Sequence, residues 1–141
     1  MPQLEPVVEF ATEWLTYAEV DLRIARMCAA DVTMPLWPIG FHCQQAVEKC
    51  LKAALVLQGV TPEKTHRLGD LAKELQAVGV ALPIAVAELL LLTPFGIDEK
   101  YPRVKPGKVA AGDAAVLIGM AQASLDWLRV RVEGAGGDGG G

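Results

Sequence analysis

The stretch FHCQQAVEKCLKAALVLQGV, residues 41–60, decides the fold of this chain. On a helical wheel its apolar residues, together with Ile39 just before it, gather on one arc about 100° wide, which predicts a helix with one side in a hydrophobic core. The polar residues fall on a narrower arc nearly opposite. The apolar arc consists of Ile39, Cys43, Ala46, Val47, Cys50, Ala54 and Leu57, and the polar stripe consists of His42, Gln45, Lys49 and Lys52.

The polar stripe has apolar surface on both sides, because Phe41, Leu51 and Leu55 form a second apolar flank. One interpretation is an ordinary solvated edge, on which His42 bonds locally and the lysines are hydrated. The other is a groove or an interface, since small-molecule and partner sites combine a few polar groups with apolar walls. The second interpretation makes the stripe a ligand- or partner-binding surface.

Outside this stretch, proline and glycine divide the chain into further helices. No segment shows the alternation expected of a strand. The pattern predicts an all-α, antiparallel up-and-down bundle of about five helices, three long and two short, in a single domain of residues 1–133 with a flexible Gly-rich tail at 134–141. The expected helices are residues 4–30, 38–58 closed by Gly59, 66–78 closed by Gly79, 83–92 and 108–132.

Composition limits the classes of protein to which the chain can belong. Thirteen Lys and Arg against seventeen Asp and Glu give a net charge of −4, so nucleic-acid binding would need a local basic patch. Hydrophobic residues make up 52% of the chain, which is slightly high and favours self-association. No apolar run approaches the roughly 20 residues that span a bilayer, and the N-terminus has no basic signal region. We therefore expect a cytoplasmic protein that does not enter a membrane.

The cysteines agree with that compartment. Cys28, Cys43 and Cys50 are odd in number and show no C-x-x-C spacing. Cys43 and Cys50 share one helix face and, with His42, form a candidate thiol or metal pair. The alternative, which we prefer, is that they are small core residues. No metal site and no cofactor is predicted.

His66 is the second candidate histidine, and Thr65 before it is a plausible helix N-cap. It is either structural, bonding to nearby backbone or to the polar stripe, or it faces a ligand beside Lys64 and Arg67, where a helix N-terminus can meet phosphate.

The segment DEKYPRVKPGK, residues 98–108, is the best local basic patch. Arg103 and its neighbouring lysines could receive phosphates or an acidic partner, and Tyr101 could stack on a base. Equally, the segment could be a solvated loop in which Tyr101 plugs the end of the bundle.

Asp21 and Glu48 are the carboxylates expected to point inward from long helices. We expect them to pair with Lys49, Lys52 or Arg23 and to fix the helix register, which is the more common role of such residues. Use of the two as a general acid–base pair is not supported by their spacing.

These residues bring the chain close to a known family. The run Gln45-Ala46-x-Glu48-Lys49-x-Leu51-Lys52-Ala53, followed by Gly59, Pro62 and Thr65-His66, resembles the HEPN family (higher eukaryotes and prokaryotes nucleotide-binding domain). WLTYAEVDLRIA upstream is similar to its first helix, and KYPRV to the element before its last. The resemblance implies a helical bundle that commonly forms homodimers. It also implies one of several activities: nucleotide binding, partnership with a minimal nucleotidyltransferase, or metal-independent RNA cleavage by toxin–antitoxin ribonucleases with an R-x(4–6)-H motif.

The chain departs from the ribonuclease motif. No arginine lies at positions 35–37 before His42 or at 59–61 before His66, and no histidine follows Arg103. Cleavage without a metal needs a group that moves protons near neutral pH, which histidine provides. We therefore expect no catalytic residues, and a dimeric module that binds a nucleotide, RNA or a nucleotidyltransferase partner. The alternatives are an endoribonuclease that uses Arg103 with a displaced His42 or His66, and a purely structural dimeric subunit.

Overall fold

The computed structural model describes the backbone of residues 4–96 and 113–140, and the side-chain surroundings of residues 6–96 and 113–136. This part of the chain is all-α, without a strand, as the sequence predicted. None of its helices is both long and apolar enough to cross a membrane. The elements are α1 (Leu4–Ala29), α2 (Leu36–Leu57), α3 (Leu68–Ala77), α4 (Val86–Leu89) with a 3-10 segment directly after it (Leu90–Phe95), and α5 (Asp113–Gly140).

Helix α2 lies at the centre of the bundle, where α1, α3, α5 and the 3-10 segment all pack against it. The apolar arc predicted to be core is confirmed, since Cys43, Val47, Cys50 and Ala54 are fully buried. Leu51 and Leu55 are fully buried as well. Leu51 and Leu55 of the second apolar flank therefore belong to the core, because α3 and the 3-10 segment pack against α2, whereas Phe41 is only partly buried.

The ends of α2 and α3 follow the predicted glycine stops. Gly59 and Gly79 have φ angles of 77° and 81°, the left-handed conformation that glycine adopts without a Cβ clash. After each glycine the chain turns back, and the amide of Val60 donates to the carbonyl of Leu55 at 2.9 Å. This is the usual glycine-terminated helix end.

The starts of the helices differ more from expectation. Helix α2 begins at Leu36, so Pro38 lies in its first turn, where a missing N–H costs no hydrogen bond. Helix α3 begins at Leu68, and Arg67 occupies the N-cap position without a side-chain capping bond. The expected role of Thr65 as N-cap is wrong, because its Oγ1 accepts from the Arg67 amide at 3.0 Å in a turn ahead of the helix.

The expected helix at 83–92 is split, since α4 ends at Leu89 and the chain continues as a 3-10 segment through Pro94. At the other end of the chain, α5 continues as helix to Gly140, although a flexible tail was expected from residue 134. No proline follows Pro106, so nothing in the sequence sterically ends α5. Val132 is its last buried residue among those with described side chains.

Candidate functional site: a polar cluster on α2

Asp21 of α1 brings together two residues of the polar stripe. The aspartate is 7% exposed, and its Oδ1 lies 2.9 Å from Nδ1 of His42. Its Oδ2 accepts a hydrogen bond from Nζ of Lys49. The expected pairing of Asp21 with Lys49 is therefore confirmed, and it ties α1 to α2.

Glu48 of α2 is the second centre. It is 4% exposed, and its Oε2 accepts from Nζ of Lys52 at 3.0 Å. The same oxygen lies 2.8 Å from Nδ1 of His66, which belongs to the connector ahead of α3. The expected pairing of Glu48 with Lys52 is confirmed. His66 contacts Glu48, which lies outside the polar stripe of His42, Gln45, Lys49 and Lys52.

Gln44 completes the cluster and was missed by the sequence analysis. It is 1% exposed, and its Nε2 donates to Oε1 of Glu48 and to the carbonyl of His66, each at 3.1 Å. Its Oε1 accepts from Nε2 of Gln45 at 2.7 Å. The available signal was its position four residues before Glu48, since side chains so spaced share a helix face. We call these residues the polar cluster: Asp21, His42, Gln44, Gln45, Glu48, Lys49, Lys52 and His66.

The two carboxylates of the polar cluster hold its lysine and histidine side chains in fixed positions. Two buried carboxylates each face one lysine and one histidine, so the cost of burying negative charge is offset by nearby donors. The side chains that they hold keep some access to solvent: 25% for His42, 31% for Lys49 and 37% for His66. A histidine held at one ring nitrogen by a carboxylate has a defined ring orientation, which suits binding or proton transfer.

Two pockets border the cluster. The first, of about 320 Å³, lies at the start of α3 and is bounded by Gln44, His66 and Arg67 together with the first turn of α3, Leu90, Thr93 and Gly96. The second, of about 590 Å³, is mostly apolar, and Lys52 lies at its edge. Part of its wall is formed by Phe10 and Trp14 of α1, whose ring centroids are 5.5 Å apart, and part by Val56 and Val60. The apolar wall beside the stripe therefore comes from α1 together with the end of α2 and the residues after it.

The cysteines do not contribute to the site. Cys43 and Cys50 are free and buried in the core, as preferred from the sequence. Burial raises the pKa of the Cys43 thiol to about 12 and raises that of Cys50 as well, so both stay protonated at neutral pH. Within the described residues no group of His, Cys, Asp and Glu is arranged to hold a metal ion.

Tyr101 and Arg103 lie in residues 97–112, outside the part of the chain that the structure describes. Their proposed roles in ligand binding stay predictions, as does the basic patch around them.

Comparison with known proteins agrees with the fold. The sequence profile of the HEPN domain matches residues 11–131. The crystal structure of an archaeal HEPN homologue superimposes with a TM-score of 0.61 at 22% sequence identity, covering 86% of this chain and 97% of that one. Among curated proteins, none matches the chain. Because the HEPN profile extends over most of the sequence, the chain belongs to the HEPN family.

Proposed function

We propose that this chain is a non-catalytic binding module for a phosphate-bearing ligand, either a nucleotide or a short RNA. The observation that carries the proposal is the 320 Å³ pocket at the start of α3, which adjoins the polar cluster. His66 lines this pocket and is fixed by the buried Glu48, and Arg67 lies next to it. The Arg67 guanidinium beside an open helix start is a favourable place for an anion.

The first turn of α3 supports this assignment. The helix has no side-chain capping bond, so no side chain competes for its first amides in the way an N-cap would. A Cβ built on Gly69 meets no atom within 4 Å, which leaves room above the turn. Asp70 opposes an anion, because its carboxylate lies in the same turn and accepts from Oγ1 of Thr65 at 3.4 Å. Its negative charge sets a limit on affinity.

Calorimetric titration of the full chain with nucleotides and with short RNA tests the proposal. We expect Arg67→Ala to weaken binding about tenfold, since a charged hydrogen bond contributes on the order of 1.5 kcal/mol. Asp70→Asn should strengthen binding, because it removes the opposing charge. Lys73→Ala, an exposed cation further along the same helix, is the matched control and should leave the affinity unchanged.

The absence of binding to every nucleotide and RNA tested would refute the proposal. Equal losses of affinity in Arg67→Ala and Lys73→Ala would mean that the ligand is held by general charge attraction and not by the pocket.

If no nucleotide or RNA binds, titration with a minimal nucleotidyltransferase tests the partner-binding alternative. For such a partner, His42, Gln45 and Lys49 of the polar stripe offer the surface. A chain that binds none of these would fit a purely structural subunit.

Metal-independent RNA cleavage is the second candidate. It is favoured by the pairing of both histidines with buried carboxylates, an arrangement that orients a general base. If the chain is a ribonuclease, cleavage in the presence of a chelator should be lost in His42→Ala or His66→Ala and in Arg103→Ala. RNA that stays intact at high protein concentration would exclude it.

A further inference from the structure

The larger of the two pockets beside the polar cluster lies between the start of α1 and the end of α2. It has a volume of about 590 Å³, and none of its described lining residues belongs to the pocket at the start of α3. This volume falls within the range of pockets that hold small molecules, about 300–1,000 Å³. We refer to it as the apolar pocket, because most of its lining is hydrophobic.

Two aromatic side chains form one wall of the apolar pocket. Phe10 and Trp14 lie one turn apart on α1, and their rings are tilted by 34° to each other. The Phe10 side chain lines the pocket but remains 45% exposed. A ring left partly in water gains stability when another apolar group covers it, and aromatic groups pack on each other with a further gain. This wall therefore favours a ligand that carries a ring.

The end of α2 and the residues after it form a second wall. Val56 and Val60 supply apolar surface there, and the glycine-terminated helix end fixes the position of Val60. A Cβ built on Gly59 meets no atom within 4 Å, so there is open space on this side. Because helical segments and a defined turn set its walls, the pocket is formed before a ligand enters it.

Two lysines give the apolar pocket a positive edge. Lys52 lines it with a side chain that is 13% exposed, and its Nζ donates to Glu48 at 3.0 Å. The accepting oxygen also lies 2.8 Å from Nδ1 of His66, so Lys52 shares this carboxylate with a second residue. Lys64 lines the pocket from an exposed position, and the exposed Glu63 beside it opposes an anion.

The charges of the lining indicate which ligand fits. Lys52 and Lys64 outnumber Glu63, so the lining carries a net positive charge. An ammonium group attracts a carboxylate more strongly beside apolar surface than in open water, because the local dielectric constant is lower. A cationic ligand would be repelled by both lysines, and a neutral one would gain nothing from them.

We propose that the apolar pocket binds a small aromatic carboxylate, with its ring against Phe10 and Trp14 and its carboxylate toward Lys52 and Lys64. This binding does not rest on the proposed binding of a nucleotide or RNA, because different residues line the two pockets. Either can fail without the other.

Three naphthalene compounds of similar size and different charge test the proposal. They are the anion 1-naphthaleneacetate, its neutral amide 1-naphthaleneacetamide, and the cation 2-(1-naphthyl)ethylamine. In calorimetric titrations of the full chain at neutral pH, we expect the acetate to bind about tenfold more tightly than the amide, and the amine to bind most weakly. Equal affinities for all three compounds would overturn the proposal, and so would an acetate that fails to bind at millimolar concentration.

The indole signals of the chain locate the bound compound. Trp14 lines the apolar pocket, whereas Trp37 and Trp127 are not among its described lining residues. In amide-correlation NMR spectra of the isotope-labelled chain, 1-naphthaleneacetate should shift the indole signal of Trp14 and leave the other two nearly unchanged. A shift confined to Trp37 or Trp127 would place the compound elsewhere and overturn the assignment.

Substitutions test the ring and the carboxylate separately. Phe10→Ala should weaken the binding of the acetate and of the amide by a similar factor, since both carry the same ring. Lys64→Ala and Lys52→Met should weaken the binding of the acetate severalfold and leave the amide unchanged. Lys73→Ala is the matched control, because Lys73 is an exposed cation outside the apolar pocket, and it should change neither affinity.

Thermal melts should show each of these variants folded. Lys64 is exposed, so its variant keeps the test valid even if the partly buried Lys52 is needed for stability. An acetate affinity that Lys64→Ala lowers no more than Lys73→Ala does would overturn the role given to the lysines. An amide affinity that Phe10→Ala leaves unchanged would overturn the role given to the aromatic wall.

Discussion

Nδ1 of His66 lies 2.8 Å from Oε2 of Glu48, and this contact joins the connector ahead of α3 to the buried side of α2. The same oxygen accepts from Lys52, and Gln44 donates to the other oxygen of the carboxylate. One buried carboxylate thus positions three donors, and the pocket at the start of α3 depends on it. Removing the carboxylate charge should therefore affect both stability and the pocket.

Glu48→Gln should lower the free energy of unfolding by about 2 kcal/mol, because it leaves buried donors without their charged acceptor. This loss of stability is smaller than the loss expected for a fully buried ion pair, because the His66 side chain is 37% exposed. Urea unfolding measures the change. Glu19→Gln is the control: Glu19 pairs with Arg129 at 2.7 Å but both side chains are about 40% exposed (42% and 38%), so its loss should cost less than about 1 kcal/mol. Similar losses in both variants would contradict this assignment.

The pairing of Asp21 with Lys49 predicts a measurable coupling between α1 and α2. In a double-mutant cycle of Asp21→Asn and Lys49→Gln, we expect a coupling energy of about 1–2 kcal/mol, as for contacting residues in one network. The pair of Asp126 with Arg129 provides the comparison, since Asp126 is 62% exposed, and should couple by no more than about 0.5 kcal/mol. Additive effects at Asp21 and Lys49 would show that the ion pair contributes little.

Gly40→Ala should destabilise the fold although alanine favours helix. A Cβ at position 40 would lie 2.3 Å from the Phe95 ring, so the ring and the 3-10 segment would have to shift. Overpacking of this kind costs about 1–3 kcal/mol, which exceeds the gain of about 1 kcal/mol from helix propensity. Gly119→Ala on α5 meets no atom within 4 Å and should raise the melting temperature. A stabilised Gly40→Ala would contradict the close approach of Phe95.

Burial of Cys43 predicts a loss of stability in alkali. Its thiol has a pKa raised from 9.0 to about 12, so the unfolded chain releases this proton at lower pH than the folded chain does. The stabilisation is fully present below about pH 9 and is lost as the pH rises toward 12. Denaturant unfolding at pH 8 and pH 11 should show a larger drop for the wild type than for Cys43→Ala. Equal drops would mean that Cys43 is accessible in the folded state.

Helical periodicity and the conformational preferences of single residues predicted much of the fold correctly. The burial of Cys43 and Val47 follows from the helical period, and the end of α2 at Gly59 follows from the freedom of glycine to adopt positive φ. The inward position of Asp21 and Glu48, with Lys49 and Lys52 as partners, was also predicted, because a carboxylate on a buried face needs a cation nearby.

Other features were not predicted correctly, because they depend on how several parts of the chain pack together. Leu51 and Leu55 were predicted to flank an open stripe, and they are buried because α3 and the 3-10 segment pack against α2. Gln44 was missed, because its three partners come from α2 and from the connector that holds His66. The prediction that Thr65 caps α3 was wrong, because its hydroxyl accepts from the Arg67 amide in a turn ahead of the helix.

The sequence by itself determined the helical class, the family and the residues of α2 that face the core, since these depend on periodicity and on short motifs. Only the tertiary structure decided that the carboxylates of Asp21 and Glu48 also face His42 and His66. It also decided that a pocket opens beside His66. The physical reason is that these features join residues far apart in the chain, and the distances between them are fixed only when the helices pack.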